Sequence, residues 1–97
     1  MINRKKTIEL LKQFREKSAA QYGITEIGLF GSLVRDDRNE NSDVDVVVKL
    51  IKQDLFNIIG IKQDLEETLN ANVDIVSYRE KMNAFLKKRI DKEAIYV

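Results

Sequence analysis

Two carboxylates stand one residue apart at Asp43 and Asp45, in a run Ser42-Asp43-Val44-Asp45 that leads into Val46, Val47 and Val48. On a strand, side chains two apart point to the same face, with Cα atoms roughly 7 Å apart from two rises of ~3.4 Å. Two like charges that close repel each other, and a bound cation relieves the repulsion. Hard oxygen donors of this kind favour Mg²⁺ or Mn²⁺. A third carboxylate, Asp74, sits in a second short apolar run, Val73-Asp74-Ile75-Val76. If that run pairs beside the first, all three acids share one face. Upstream lies Gly31-Ser32, followed by Arg35. Glycine lets backbone approach a ligand closely, and the serine N–H and hydroxyl can donate to phosphate. Acids for a divalent metal and a turn for phosphates together suggest chemistry on a nucleoside triphosphate.

Each feature also has a plainer reading. The Asp43–Asp45 pair can be a solvated strand face that discourages edge pairing. Asp74 can be an ordinary outward residue of an alternating strand. Gly31 can end a strand while Ser32 caps a helix, a role that uses the same N–H groups. Arg35 can pair with a phosphate, or with Asp36, Asp37 or Glu40. The combination separates the readings. With each fixed residue at ~one in fifteen, Gly-Ser and Asp-x-Asp at fixed spacing arise in roughly one or two such chains per thousand.

The elements that must position these residues can be read from periodicity. Residues 4–21 predict a helix with an apolar stripe of Ile8, Leu10, Leu11 and Phe14, stopped near Gly23. Residues 26–30 predict a strand that ends at Gly31, and Ser32 opens a short helical turn through Arg35. Residues 36–42 read as a polar loop and 43–49 as a valine-rich strand. Residues 52–70 predict a helix with Leu55, Ile58, Ile59, Leu65 and Leu69 inward and Gly60 as a weak point. Residues 73–77 predict a third strand. Ser77 with Glu80 fits a capping box opening a helix over 78–91, with Met82, Phe85, Leu86 and Ile90 on its apolar face. Residues 94–97 suit a short closing strand. The order implies an α/β (α+β) fold, a small mixed β-sheet flanked by helices.

Composition narrows the chemistry further. The 97 residues suit one domain over 1–97, and no apolar run approaches the ~20 residues of a membrane helix. The basic Met1–Lys6 segment is followed by no signal-peptide core, so a cytoplasmic location is expected. Cysteine and histidine are both absent, which excludes disulfides, thiolate or histidine-bound zinc, and histidine base catalysis. With 17 basic and 16 acidic side chains the net charge is +1, so bulk charge does not imply nucleic acid. A core this small would gain from surface buried against a partner, whether a second copy or another chain.

At Gly31, Ser32, Arg35, Ser42, Asp43, Asp45 and Asp74 the chain resembles the minimal nucleotidyltransferases of the polymerase-beta-like superfamily. Their signature is Gly-Ser, an arginine three residues on, Ser-Asp-x-Asp, and a third aspartate on a later strand. The closing Glu93-Ala94-Ile95-Tyr96 also looks like this family, and the resemblance covers nearly the whole chain. The chain departs from the pattern at Val34 and Asp36, where the family often has a small residue and a glycine. The resemblance implies a polymerase-beta-like fold. It implies that Asp43, Asp45 and Asp74 hold two Mg²⁺ ions, and that Gly31 and Ser32, with Arg35 and Ser42, bind the triphosphate of ATP. It further implies a HEPN-domain toxin as partner, with AMP transferred to a tyrosine hydroxyl of that toxin by its antitoxin. Tyr78, Phe85, Tyr96 and the first helix are candidate partner surfaces, though a core or plain surface role is the favoured reading of each. Three other functions fit the same residues. One is a non-catalytic nucleotide-binding antitoxin that acts by complex formation. Another is a homodimeric small-molecule nucleotidyltransferase. The last is an RNA-acting module.

Overall fold

Alternation along the valine run fixes the layers. In the computed structural model, which describes residues 3–35 and 43–97, Val44, Val46 and Val48 are fully buried on one face. They pack with Ile24, Ile27, Leu29 and Val73 against Leu11 and Phe14 of helix α1 (Arg4–Tyr22) and Ile61, Leu65 and Leu69 of helix α3 (Leu55–Leu69). Val47 faces the other way. There it joins Phe30 and Ile90 in a smaller cluster under helix α4 (Ala84–Glu93), with Val76, Met82 and Leu86 alongside. Helices therefore cover both faces of the sheet, which is why this strand reads as a continuous apolar run.

The sheet has four strands in the order β3-β2-β1-β4. Strand β1 (Ile24–Phe30) runs antiparallel to β2 (Val44–Leu50) and to the short β4 (Ile95–Tyr96). Strand β2 lies parallel to β3 (Val73–Ser77), and α3 makes the crossover that a parallel pair requires. A four-residue helix, α2 (Ser32–Arg35), follows β1. The mixed sheet flanked by helices matches the sequence-based expectation. No helix among the described residues is long and apolar enough to cross a membrane.

Several boundaries differ from that expectation, each for a local reason. Strand β1 begins at Ile24, directly after Gly23, whose left-handed backbone at φ 68° ends α1. Helix α3 starts at Leu55 and not at 52, because the Asp54 carboxylate accepts from the Phe56 N–H at 2.9 Å and caps it. Its inward stripe is Ile61, Leu65 and Leu69, whereas Leu55 and Ile59 are exposed. The Ser77–Glu80 capping box does not form. Ser77 ends β3 and its hydroxyl donates to the Gln53 side chain, while Asn83 caps α4 by accepting from the Leu86 N–H at 2.9 Å. Tyr78 thus precedes α4, and Phe85 points to solvent, 75% exposed, outside the helix's apolar face. Gly60 is a site of close approach. A Cβ there would lie 2.9 Å from Cε1 of Tyr22, whose hydroxyl donates to Asp64.

Candidate functional site

Parallel pairing of β2 with β3 places Asp45 directly beside Asp74. Alternation puts Asp45 on the face of Val47 and Asp74 on the face of Val76, the side that carries α4. Asp43 lies one residue before β2 begins and is exposed. The sheet therefore carries the three acids at one end, with two of them abreast on adjacent strands and the third at the strand's entrance. Ser42 lies outside the described residues.

Asp45 is the acid held in the least watery surroundings. Burial raises its pKa above the usual carboxylate range, and the charges of Asp74 and Asp43 push the same way. The guanidinium groups of Arg89 and Arg35 oppose that rise without cancelling it. A carboxylate destabilised by burial and by like charges is one that a cation would relieve. The donors are all hard oxygens, which is the chemistry magnesium takes. Among the described residues, no group of three or more acids is already gathered as a ligand shell. Asp45 and Asp74, with Asp43 at the strand's entrance, fit magnesium by donor type and by mutual repulsion.

Gly31 is required by geometry on two counts. Its φ is +81°, a left-handed conformation that side chains rarely adopt. A Cβ at this position would also overlap the carboxylate of Asp45. The turn therefore packs directly on the acid. The Gly31 carbonyl accepts from the N–H groups of Val34 and Arg35, both at 3.1 Å, which closes α2. No described residue accepts from the Ser32 N–H or hydroxyl. Four residues make too short a helix for a useful macrodipole. What the turn offers a phosphate is N–H and O–H donors.

Arg35 has a partner that the sequence reading did not name. Its Nη1 donates to both carboxylate oxygens of Glu93, at 3.0 and 3.1 Å. The same Glu93 accepts the Gly31 N–H at 3.1 Å, and Arg89 lies 4.0 Å away. Burial alone would raise the Glu93 pKa. The Arg35 and Gly31 hydrogen bonds, with the charges of Arg35 and Arg89, outweigh it and hold the carboxyl below its ordinary value. The only sequence signal for Glu93 was its place in the closing Glu93-Ala94-Ile95-Tyr96 segment.

Of the candidate partner-facing aromatics, Tyr78 donates its hydroxyl to Asp91 at 2.8 Å. The Lys49 ammonium lies over the rings of both Tyr78 and Tyr96. Phe85 remains exposed beside Arg35, Lys88 and Arg89, along a groove of about 450 Å³.

The chain and its fold are similar to known proteins. The chain is 34% identical over 87 residues to the protein adenylyltransferase MntA of Thermococcus cleftensis, covering 89% of this chain and 83% of that protein. Its fold superposes with a TM-score of 0.72 on a toxin-antitoxin structure with AMP-PNP, at 23% identity, covering 93% of this chain and 70% of that one. It superposes with a TM-score of 0.58, at 21% identity, on a complex of a tri-AMPylated HEPN toxin with an MNT antitoxin from Shewanella oneidensis, covering 88% and 70% of the two chains. The family model for polymerase beta nucleotidyltransferases matches residues 5–97. Nearly the whole chain, with its paired aspartates and its Gly-Ser turn, thus belongs to the polymerase beta nucleotidyltransferase family.

Proposed function

We propose that this protein is a magnesium-dependent adenylyltransferase that moves AMP from ATP onto a tyrosine hydroxyl of a HEPN-domain toxin, acting as that toxin's antitoxin. The observation that carries the reading is the pairing of Asp45 with Asp74 beneath the Gly31 turn. There the acids that would hold a metal lie against the turn that would donate to phosphates. The relatives supply the reaction type and partner. One is named as a protein adenylyltransferase, and one fold neighbour pairs an MNT antitoxin with an AMPylated HEPN toxin.

The Gly31–Ser32 turn would receive the β- and γ-phosphates through the Ser32 N–H and hydroxyl, Gly31 allowing close approach, with Arg35 supplying positive charge beside them and Ser42 assisting from the following segment. Asp43, Asp45 and Asp74 would hold magnesium. When bound, magnesium supplies charge neutralisation of the triphosphate and a lowered pKa for the incoming hydroxyl. The acceptor oxygen forms a bond to the α-phosphorus as the bond from that phosphorus to the bridging oxygen breaks. Pyrophosphate leaves, and the hydroxyl proton passes to solvent.

The test uses ATP labelled at either the α- or the γ-phosphate, with Mg²⁺ and a HEPN-domain partner. The reading predicts label on the partner from the α-labelled nucleotide only. Label from the γ-position would make the protein a kinase. No label from either would leave it a binding subunit.

A further inference from the structure

We propose that Glu93 is a positioning residue for the nucleotide, holding the Gly31 turn and the Arg35 guanidinium in the arrangement that receives the triphosphate. The inference rests on the nucleotidyltransferase reading above. Glu93 is the last residue of α4, two residues before Ile95 pairs with Leu29 of β1. The end of α4 and the end of β1 are therefore tied together by the sheet as well as by the carboxylate. One oxygen of Glu93 accepts from the Gly31 N–H at 3.1 Å, and Arg35 Nη1 reaches both oxygens at 3.0 and 3.1 Å. The Glu93 side chain is only 15% exposed, whereas Arg35 is 40% exposed. The carboxylate is thus the fixed member of the pair and the guanidinium the accessible one.

Two alternatives to positioning can be weighed on the same contacts. Glu93 could occupy the phosphate donors and compete with the nucleotide. It takes the Gly31 N–H, however, and leaves the Ser32 N–H and hydroxyl without an acceptor among the described residues. Glu93 could instead be a purely structural clamp. Its bonds, however, reach two groups that bear on Asp45: the glycine packed on its carboxylate, and an arginine whose charge is felt there. A long guanidinium side chain loses much rotamer freedom when ordered. Ordering it before ATP arrives lowers what binding must later cost.

The experiment measures affinity for AMP-PNP with Mg²⁺, and thermal stability, in Glu93→Gln, Arg35→Gln and the double variant. Glu93→Asp serves as a second probe that keeps the charge and shortens the reach. Glu93→Gln is expected to weaken AMP-PNP binding roughly tenfold, the scale of one charge-assisted hydrogen bond. The double variant should lose less than the two single losses combined, because part of the Glu93 effect runs through Arg35. Glu93→Asp should fall between wild type and Glu93→Gln. Unchanged or tighter binding by Glu93→Gln, or additive losses in the double variant, would overturn the proposal. So would a loss confined to melting temperature. If the wild-type protein binds no AMP-PNP, the nucleotidyltransferase reading itself falls, and the inference with it.

Discussion

At the scale of single residues, the ionised Asp45 carboxylate costs the fold stability. Burial and two neighbouring acids raise its pKa in the folded chain, so its ionised form opposes folding. The sign follows from linkage: a carboxyl with a raised folded pKa destabilises once pH exceeds the carboxylate range, and the cost vanishes when the group is protonated. Asp45→Asn should therefore abolish transfer while raising the melting temperature near neutrality. The gain should shrink as pH falls through the Asp45 pKa, which melts at a series of pH values would show. Glu93 behaves oppositely. Its lowered folded pKa means that its ionised form stabilises the fold above the ordinary carboxyl value, and that this is lost as pH falls through the lowered one. Gly31 cannot be replaced cheaply. Gly31→Ala meets both a strained left-handed backbone, on the order of 1–3 kcal/mol, and the Asp45 carboxylate. It is expected to lower stability in urea titrations and to displace Asp45, so that any folded fraction transfers poorly.

At the scale of elements, the strands were legible because the chemistry and the packing coincide. Val44, Val46 and Val48 announce a buried strand, and the acids interleaved around them mark its end. Helix boundaries were harder, because several residues can cap and only tertiary packing chooses among them. Ser77 offered a capping box, yet pairing of Val48 with Ser77 keeps that residue in the sheet and leaves the cap to Asn83. Asn83→Ala should cost about 1 kcal/mol, the usual loss for a cap, whereas Ser77→Ala should leave α4 helicity unchanged. Chemical denaturation and far-UV circular dichroism distinguish the two. Gly60 was equally opaque, since the ring of Tyr22 that excludes a side chain there is 38 positions away in sequence. A helical Gly→Ala change ordinarily gains about 1 kcal/mol. Here Gly60→Ala should destabilise, because Tyr22 must leave its bond to Asp64. Glu93 and Gly31 lie 62 residues apart, and no local pattern links them.

At the scale of the molecule, one small sheet does two jobs. Its interior, closed by α1 and α3, holds most of the core. Its other face is covered by α4 over Phe30, Val47 and Ile90, while Asp45 and Asp74 lie at the end of the sheet that the Gly31 turn borders. The core therefore supplies rigidity directly behind the acids, and positions set by strand register are held more tightly than positions on a loop. A site arranged in this way accounts for transfer chemistry without histidine or cysteine, both absent from the chain. The most direct test is the intact mass of a HEPN-domain partner after incubation with ATP and Mg²⁺, with the wild-type protein beside Asp45→Asn. The account predicts a mass gain in whole AMP units with wild type and none with the variant. A partner neutralised equally by both proteins with no change in mass would contradict it, as would equal AMP addition by the variant.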